Sequence, residues 1–123
     1  MNIEEIFKMV LDCSFQVHTA LGPGLLESAY EECMYYELLK SGLNVKKQIA
    51  LPLIYKEVKL DAGYRIDLLV EKKVIVEIKS IESLAEIHLA QILTYMKLSG
   101  CKLGLLVNFN VRQLKDGIKR VIL

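Results

Sequence analysis

Apolar positions recur with a helical period over residues 2–21, at Ile3, Ile6, Phe7, Val10, Leu11, Val17 and Leu21, with Ser14 in the same stripe. Asn2 is placed to cap this helix, Glu4 and Glu5 suit its first turn, and Gly22-Pro23-Gly24 ends it. A second helix is predicted over residues 25–40, with Leu26, Ala29, Tyr30, Cys33, Tyr36 and Leu39 as its apolar stripe and Ser41-Gly42 as its stop. Residues 45–55 then change to a period of two and predict a strand, irregular or at an edge near Pro52, which cannot donate to a ladder. Tyr55-Lys56-Glu57 reads as a turn into Val58-Lys59-Leu60. Residues 83–99 return to the helical period, with Ser83 and Glu86 spaced as a capping box and Gly100 as the terminator. Leu84, Ile87, His88, Gln91, Ile92, Tyr95 and Leu98 lie along one predicted face of it. Lys102 to Phe109 is nearly continuous in apolar residues, as in a strand buried on both faces, and residues 117–123 supply a last strand.

Between the strand region and the third helix lies GYRIDLLVEKKVIVEIKS, residues 63–80. Two apolar runs flank Glu71-Lys72-Lys73, the pattern of a β-hairpin. Charges interrupt both runs: Asp67 in the first, Glu77 and Lys79 in the second. A turn at Glu71-Lys72-Lys73 sets Asp67 opposite Glu77, with β-carbons roughly 4.5–5.5 Å apart. Glu77 and Lys79 share a face, and Val76 and Ile78 take the other. Facing carboxylates in a half-buried sheet repel, and a hard divalent cation would offset that repulsion. The competing reading is a solvated sheet face carrying surface charges.

Asp67 followed by Glu77-Ile78-Lys79 resembles the PD-(D/E)XK nuclease superfamily. Upstream, Gly24, Glu27 and Tyr30 in GLLESAY, preceded by VHTALGPG with His18, resemble the GxxExxY family of that superfamily. Downstream, Gln91 and Tyr95 resemble the Q-x-x-x-Y of RecB-like nucleases, and GLLVNF fits the same family. The resemblance runs from about Val17 to Arg120. It implies an α/β fold with a restriction-endonuclease-like core, a mixed central β-sheet flanked by helices.

It also implies a metal-dependent nuclease that hydrolyses nucleic-acid phosphodiester bonds. Asp67 and Glu77 would hold Mg²⁺ or Mn²⁺ with the backbone carbonyl of Ile78, and Glu27 directly or through water. Lys79 would orient the hydrolytic water or stabilise the phosphate. Gln91 and Tyr95 would position phosphate or the lysine, with His18 a weaker candidate and His88 weaker still. DNA is the favoured substrate over RNA.

The remaining features narrow these expectations. The 123 residues suit a single nuclease-like domain, residues 1–123, and no apolar run approaches the ~20 residues of a membrane span. MNIEEIFKMV starts acidic, unlike a signal peptide, and Cys13, Cys33 and Cys101 are widely spaced. Together these predict a cytoplasmic protein with reduced, buried thiols and no zinc site. A formal net charge of +1 gives no global footprint for nucleic acid. Local basic groups stand at Lys46-Lys47, at Lys56 with Lys59, and at Arg112, Lys115, Lys119 and Arg120. That charge balance keeps a second expectation open, a catalytically inactive nuclease-fold module that binds nucleic acid or a protein partner. A third is hydrolysis of a non-nucleic phosphodiester. Exposed strand edges and a high apolar fraction make a homodimer a reasonable expectation.

Overall fold

The computed structural model describes residues 1–123. Two helices, α1 (Ile3–Leu21) and α2 (Glu27–Lys40), precede strands β1 (Val45–Ala50), β2 (Leu53–Tyr55), β3 (Val58–Leu60), β4 (Arg65–Val70) and β5 (Val74–Lys79). Helix α3 (Glu86–Ser99), β6 (Leu103–Asn108), a short 3₁₀ turn (Leu114–Gly117) and β7 (Ile118–Ile122) complete the chain. The main sheet runs β1-β4-β5-β6-β7, while β2 and β3 form a separate two-stranded ribbon. Only β5 and β6 pair in parallel, because α3 carries the chain between them; the other neighbours are antiparallel. The expected mixed α/β sheet flanked by helices is therefore present.

Alternation along the strands splits the interior into two layers. Val74, Val76 and Ile78 join Leu105 and Val107 in a core beneath α1 and α2. Ile75 and Leu106 pack on the other side with Ile92, Tyr95 and Met96 of α3. All six residues of β6 are buried, as its unbroken apolar run requires. Asn2 caps α1 as predicted, with the Glu5 N–H 2.9 Å from Asn2 Oδ1, and the Glu5 side chain returns the bond to the Asn2 N–H in a capping box that the sequence pattern did not predict.

Several boundaries and faces differ from the sequence pattern. Proline at position 52 splits the predicted strand of residues 45–55 into β1 and β2, which belong to different sheets. On α2 the buried line is Tyr30, Met34 and Leu38, whereas Leu26, Tyr36 and Leu39 are exposed. With tyrosines and leucines around its circumference, α2 offers two plausible stripes, and the sheet beneath it selects one. On α3, Ile92, Tyr95 and Met96 are buried, while Ile87 and Leu98 are exposed. That helix starts at Glu86 rather than Ser83; His88 Nδ1 accepts the Ala85 N–H at 2.9 Å and replaces the expected Ser83–Glu86 box. All three cysteines are free, but Cys33 is only half-buried. No helix is long and apolar enough to cross a membrane.

Candidate metal and phosphodiester site

The predicted turn forms at Glu71, Lys72 and Lys73, and the β4–β5 register pairs Val70 with Val74, Leu69 with Ile75 and Leu68 with Val76. One further step sets Asp67 against Glu77, but there the backbone ladder stops. Side chains take over its hydrogen bonds. The Ile78 N–H donates to Asp67 Oδ2 at 2.8 Å, and the Asp67 N–H donates to Glu77 Oε1 at 3.3 Å.

The same residue breaks the ladder on its other side. Strand β1 pairs Lys47 with Leu68 and Ile49 with Ile66, leaving Gln48 unpaired at a φ of 53°. Such a φ is unusual outside glycine and marks local backbone strain. Gln48 Nε2 donates to Glu31 Oε1 at 2.6 Å and to Asp67 Oδ1 at 3.4 Å. Across this breach β4 rolls: Leu68 and Val70 pack under α1 and α2, whereas Ile66 packs on the α3 side. Asp67 thus has no ladder partner on either neighbouring strand, and its carboxylate takes hydrogen bonds from both.

A cavity of about 340 Å³ opens there, lined by Glu27, Ser28, Glu31, Gln48, Asp67 and Ile78. Glu27 enters it from the first turn of α2, and its placement depends on the residues around it. Tyr30 donates from its hydroxyl to Gly22 O at 2.6 Å and accepts the Leu25 N–H at 3.2 Å, tying down the loop before α2. Its buried ring stacks on Phe109 with centroids 4.5 Å apart. Gly24 turns that loop at a φ of 100°, where a side chain would be strained. Ser80 closes the join from the far end of β5: its N–H donates to Glu27 Oε2 at 3.2 Å and its hydroxyl to Leu25 O at 2.5 Å. Gly24, Glu27 and Tyr30 therefore act as one fastening, with the carboxylate as its exposed product.

Glu77 is 4% exposed. Burial, then the Asp67 charge and the contact between the two carboxyl groups, push its carboxyl up to about 9, against weaker opposing pulls from the Asp67 N–H and then from Lys79. Burial also raises Glu31, opposed by its bond from Gln48, with Asp67 and Glu32 adding to the rise. Lys79 forms no ion pair with either carboxylate. Its Nζ lies 3.4 Å from Gln91 Oε1, and Gln91 Nε2 donates to Tyr95 OH at 3.1 Å. These three residues line a second, larger groove of about 570 Å³ against α3. Burial raises Tyr95 as well, and Glu77 is the next cause, so the groove and the carboxylates lie within electrostatic reach of each other.

The sequence-predicted residues are thus only partly gathered. Asp67 and Glu77 meet; Glu27 and Ile78 share a cavity with Asp67; Lys79, Gln91 and Tyr95 form a chain on the α3 side. His18 stands apart from them, pinned by Nε2 to Val111 O at 2.7 Å in the core beneath α1. His88 caps α3, as described above. No group of three or more His, Cys, Asp or Glu side chains stands together at ligand spacing. The donors available, two carboxylates and a backbone carbonyl with Glu27 across the cavity, are hard oxygens suited to Mg²⁺ or Mn²⁺. The buried Glu77 beside Asp67 is a pair that a cation or a proton must neutralise.

Four contributing residues carry no role in the sequence reading. Glu31 follows Glu27 by one helical turn, a spacing that signals a shared face. Gln48 gave no signal, because its part depends on the β1–β4 register. Ser80 directly follows the E-x-K run. Asn108 was visible only as part of GLLVNF. Buried at 1% exposure, it accepts the Ile81 N–H at 3.1 Å and donates to Ile81 O at 3.0 Å, fixing the chain just beyond Lys79.

No curated protein and no solved structure matches the chain. A family model described as the PD-(D/E)XK nuclease superfamily matches residues 4–121. That span takes in the Glu27 fastening, the breached hairpin, α2, α3 and all but the end residues of α1 and β7. The chain belongs to the PD-(D/E)XK nuclease superfamily.

Proposed function

We propose that this chain, acting as one nuclease-like domain over residues 1–123, is a Mg²⁺- or Mn²⁺-dependent phosphodiesterase of nucleic acid. The observation that carries the reading is the meeting of Asp67 and the buried Glu77 where the β4–β5 ladder gives out, next to Lys79 in sequence and space. Asp67, Glu77 and the Ile78 carbonyl hold the cation, with Glu27 reaching it directly or through water. A divalent ion held there supplies Lewis-acid polarisation of the phosphate and activation of water. Lys79 orients the attacking water and steadies charge on the phosphate; Gln91 holds the ammonium in place, and Tyr95 holds Gln91. His18 is left out of the site, since its ring serves Val111.

DNA is the first substrate to test. Three free thiols favour a cytoplasmic setting. A homodimer has support in the exposed Ile54, Tyr55, Val58 and Leu60 of the β2–β3 ribbon. One observation favours the inactive-module alternative: Glu27 is engaged by the Ser80 N–H rather than turned to Glu77. The deciding experiment is a cleavage assay on single- and double-stranded DNA and RNA with Mg²⁺ or Mn²⁺, run beside Lys79→Ala purified identically. Loss of the positioned ammonium is expected to slow cleavage by about 10²–10³. Equal rates from both preparations would assign the cleavage to a contaminant.

A further inference from the structure

The two cavities flanking the E-x-K strand differ in chemistry. The smaller one presents Glu27, Glu31 and Asp67. No carboxylate lines the larger; its walls are Leu53, Tyr64, Tyr95 and Leu98, and Lys79 and Gln91 open into it. At about 570 Å³ it falls in the size range of small-ligand sites, about 300–1000 Å³. Tyr64 is 42% exposed, at the mouth of β4, and its ring lies 6.2 Å from that of Tyr95 at an angle of 56°. Tilted rather than stacked, the Tyr64 ring leaves part of its surface without an aromatic partner. A ligand fitting this groove is flat and largely apolar, and carries an anion for the Lys79 ammonium.

We propose that this groove is a nucleobase subsite, which takes one unpaired base of the substrate strand against Tyr64 while the attached phosphate lies at Lys79. The proposal rests on the phosphodiester reading of the same site and narrows it to single-stranded or locally unpaired nucleic acid. Paired bases are already stacked on both faces and held in the duplex, so their faces cannot enter a walled groove. An unpaired base can, and stacking on an aromatic ring is tolerant of base identity.

The test is anisotropy of a labelled single-stranded oligodeoxynucleotide, its fully abasic counterpart of equal length and charge, and the corresponding duplex. The wild-type protein is used in Ca²⁺, which also takes oxygen ligands. The base-bearing single strand is expected to bind about 5–150-fold more tightly than the abasic strand, the gain of one stacked base. It should also outbind the duplex. Tyr64→Ala should erase most of the preference for bases, while Tyr64→Phe retains it. The abasic comparison needs no variant, so it stands even if Tyr64→Ala misfolds. Equal binding of abasic and base-bearing strands, tighter binding of duplex, or no binding at all would overturn the proposal. Cleavage in Mg²⁺, measured in parallel, separates the two readings. Cleavage with no dependence on bases removes the subsite alone. Base-dependent binding without cleavage keeps the subsite and removes the catalysis.

Discussion

Glu77 shows how a single side chain records the competing demands on the hairpin. Its carboxyl is raised from 4.5 to about 9, first by burial and then by Asp67. Between those values the folded, metal-free chain keeps a proton that the unfolded chain has released, so stability falls as pH rises through that window. The slope from this group is at most about 1.4 kcal/mol per pH unit. Metal-free Glu77→Gln, which cannot release that proton, should give a flatter stability curve in urea titrations from about pH 5 to 9. A wild-type slope unchanged by the substitution would mean that Glu77 does not titrate in this range. Asp67, Glu77 and Lys79 were legible in the sequence because charges inside a period-two apolar run stand out against it. Glu31 and Gln48 were not, because a glutamate on a helix rich in glutamates and a glutamine in a mixed strand look ordinary. Their roles come from the breach at Asp67, a feature of register that no local pattern encodes.

Elements do not carry the candidate site alone; the joins between them do. The start of α2 is tied to the end of β5 through Tyr30, Ser80 and Glu27, and the end of β5 to β6 through Asn108. Tyr30→Phe keeps the stack on Phe109 but frees Gly22 O and the Leu25 N–H. The expected cost is modest, about 0.5–1.5 kcal/mol. Asn108→Ala leaves the half-buried Ile81 and Asn110 N–H groups without their shared acceptor, while Asn110 Nδ2 still donates to Ile81 O, and should cost more, about 1–3 kcal/mol. Thermal denaturation reads both. If the joins also position the site, each variant should lose cleavage at temperatures where it remains folded, and a fully active, merely less stable variant would limit the join to a structural role. The order of helices and strands was legible from the change of period between 3.6 and 2. The joins were not, since each bonds residues far apart in sequence. The start of α3 was misplaced for a local reason: His88, not Glu86, supplies the capping side chain.

At the scale of the whole molecule, a sheet covered by helices on both faces is opened at the Asp67 end of its β4–β5 pair. There two acidic side chains replace ladder hydrogen bonds. A fold that needed this arrangement for stability alone would be weakened by losing either carboxylate. One that holds it for a cation is strained while the cation is absent. In metal-free protein, Asp67→Asn removes the charge that opposes ionisation of Glu77, so stability near neutral pH should stay level or rise. Adding Mg²⁺ or Mn²⁺ to the wild type should stabilise it by RT ln(1 + [L]/Kd), about 2.7 kcal/mol at a hundredfold excess over Kd. For a chain of this size that is a rise in melting temperature on the order of 10 °C. Asp67→Asn should lose most of the rise. The structural alternative gives the reverse pattern: Asp67→Asn weakens its bond from the Ile78 N–H, costs about 1–3 kcal/mol, and metal shifts neither protein. Differential scanning calorimetry of the two proteins, with and without each ion, distinguishes them. A destabilised Asp67→Asn beside a wild type blind to both ions would end the metal-site reading and leave the binding module in its place.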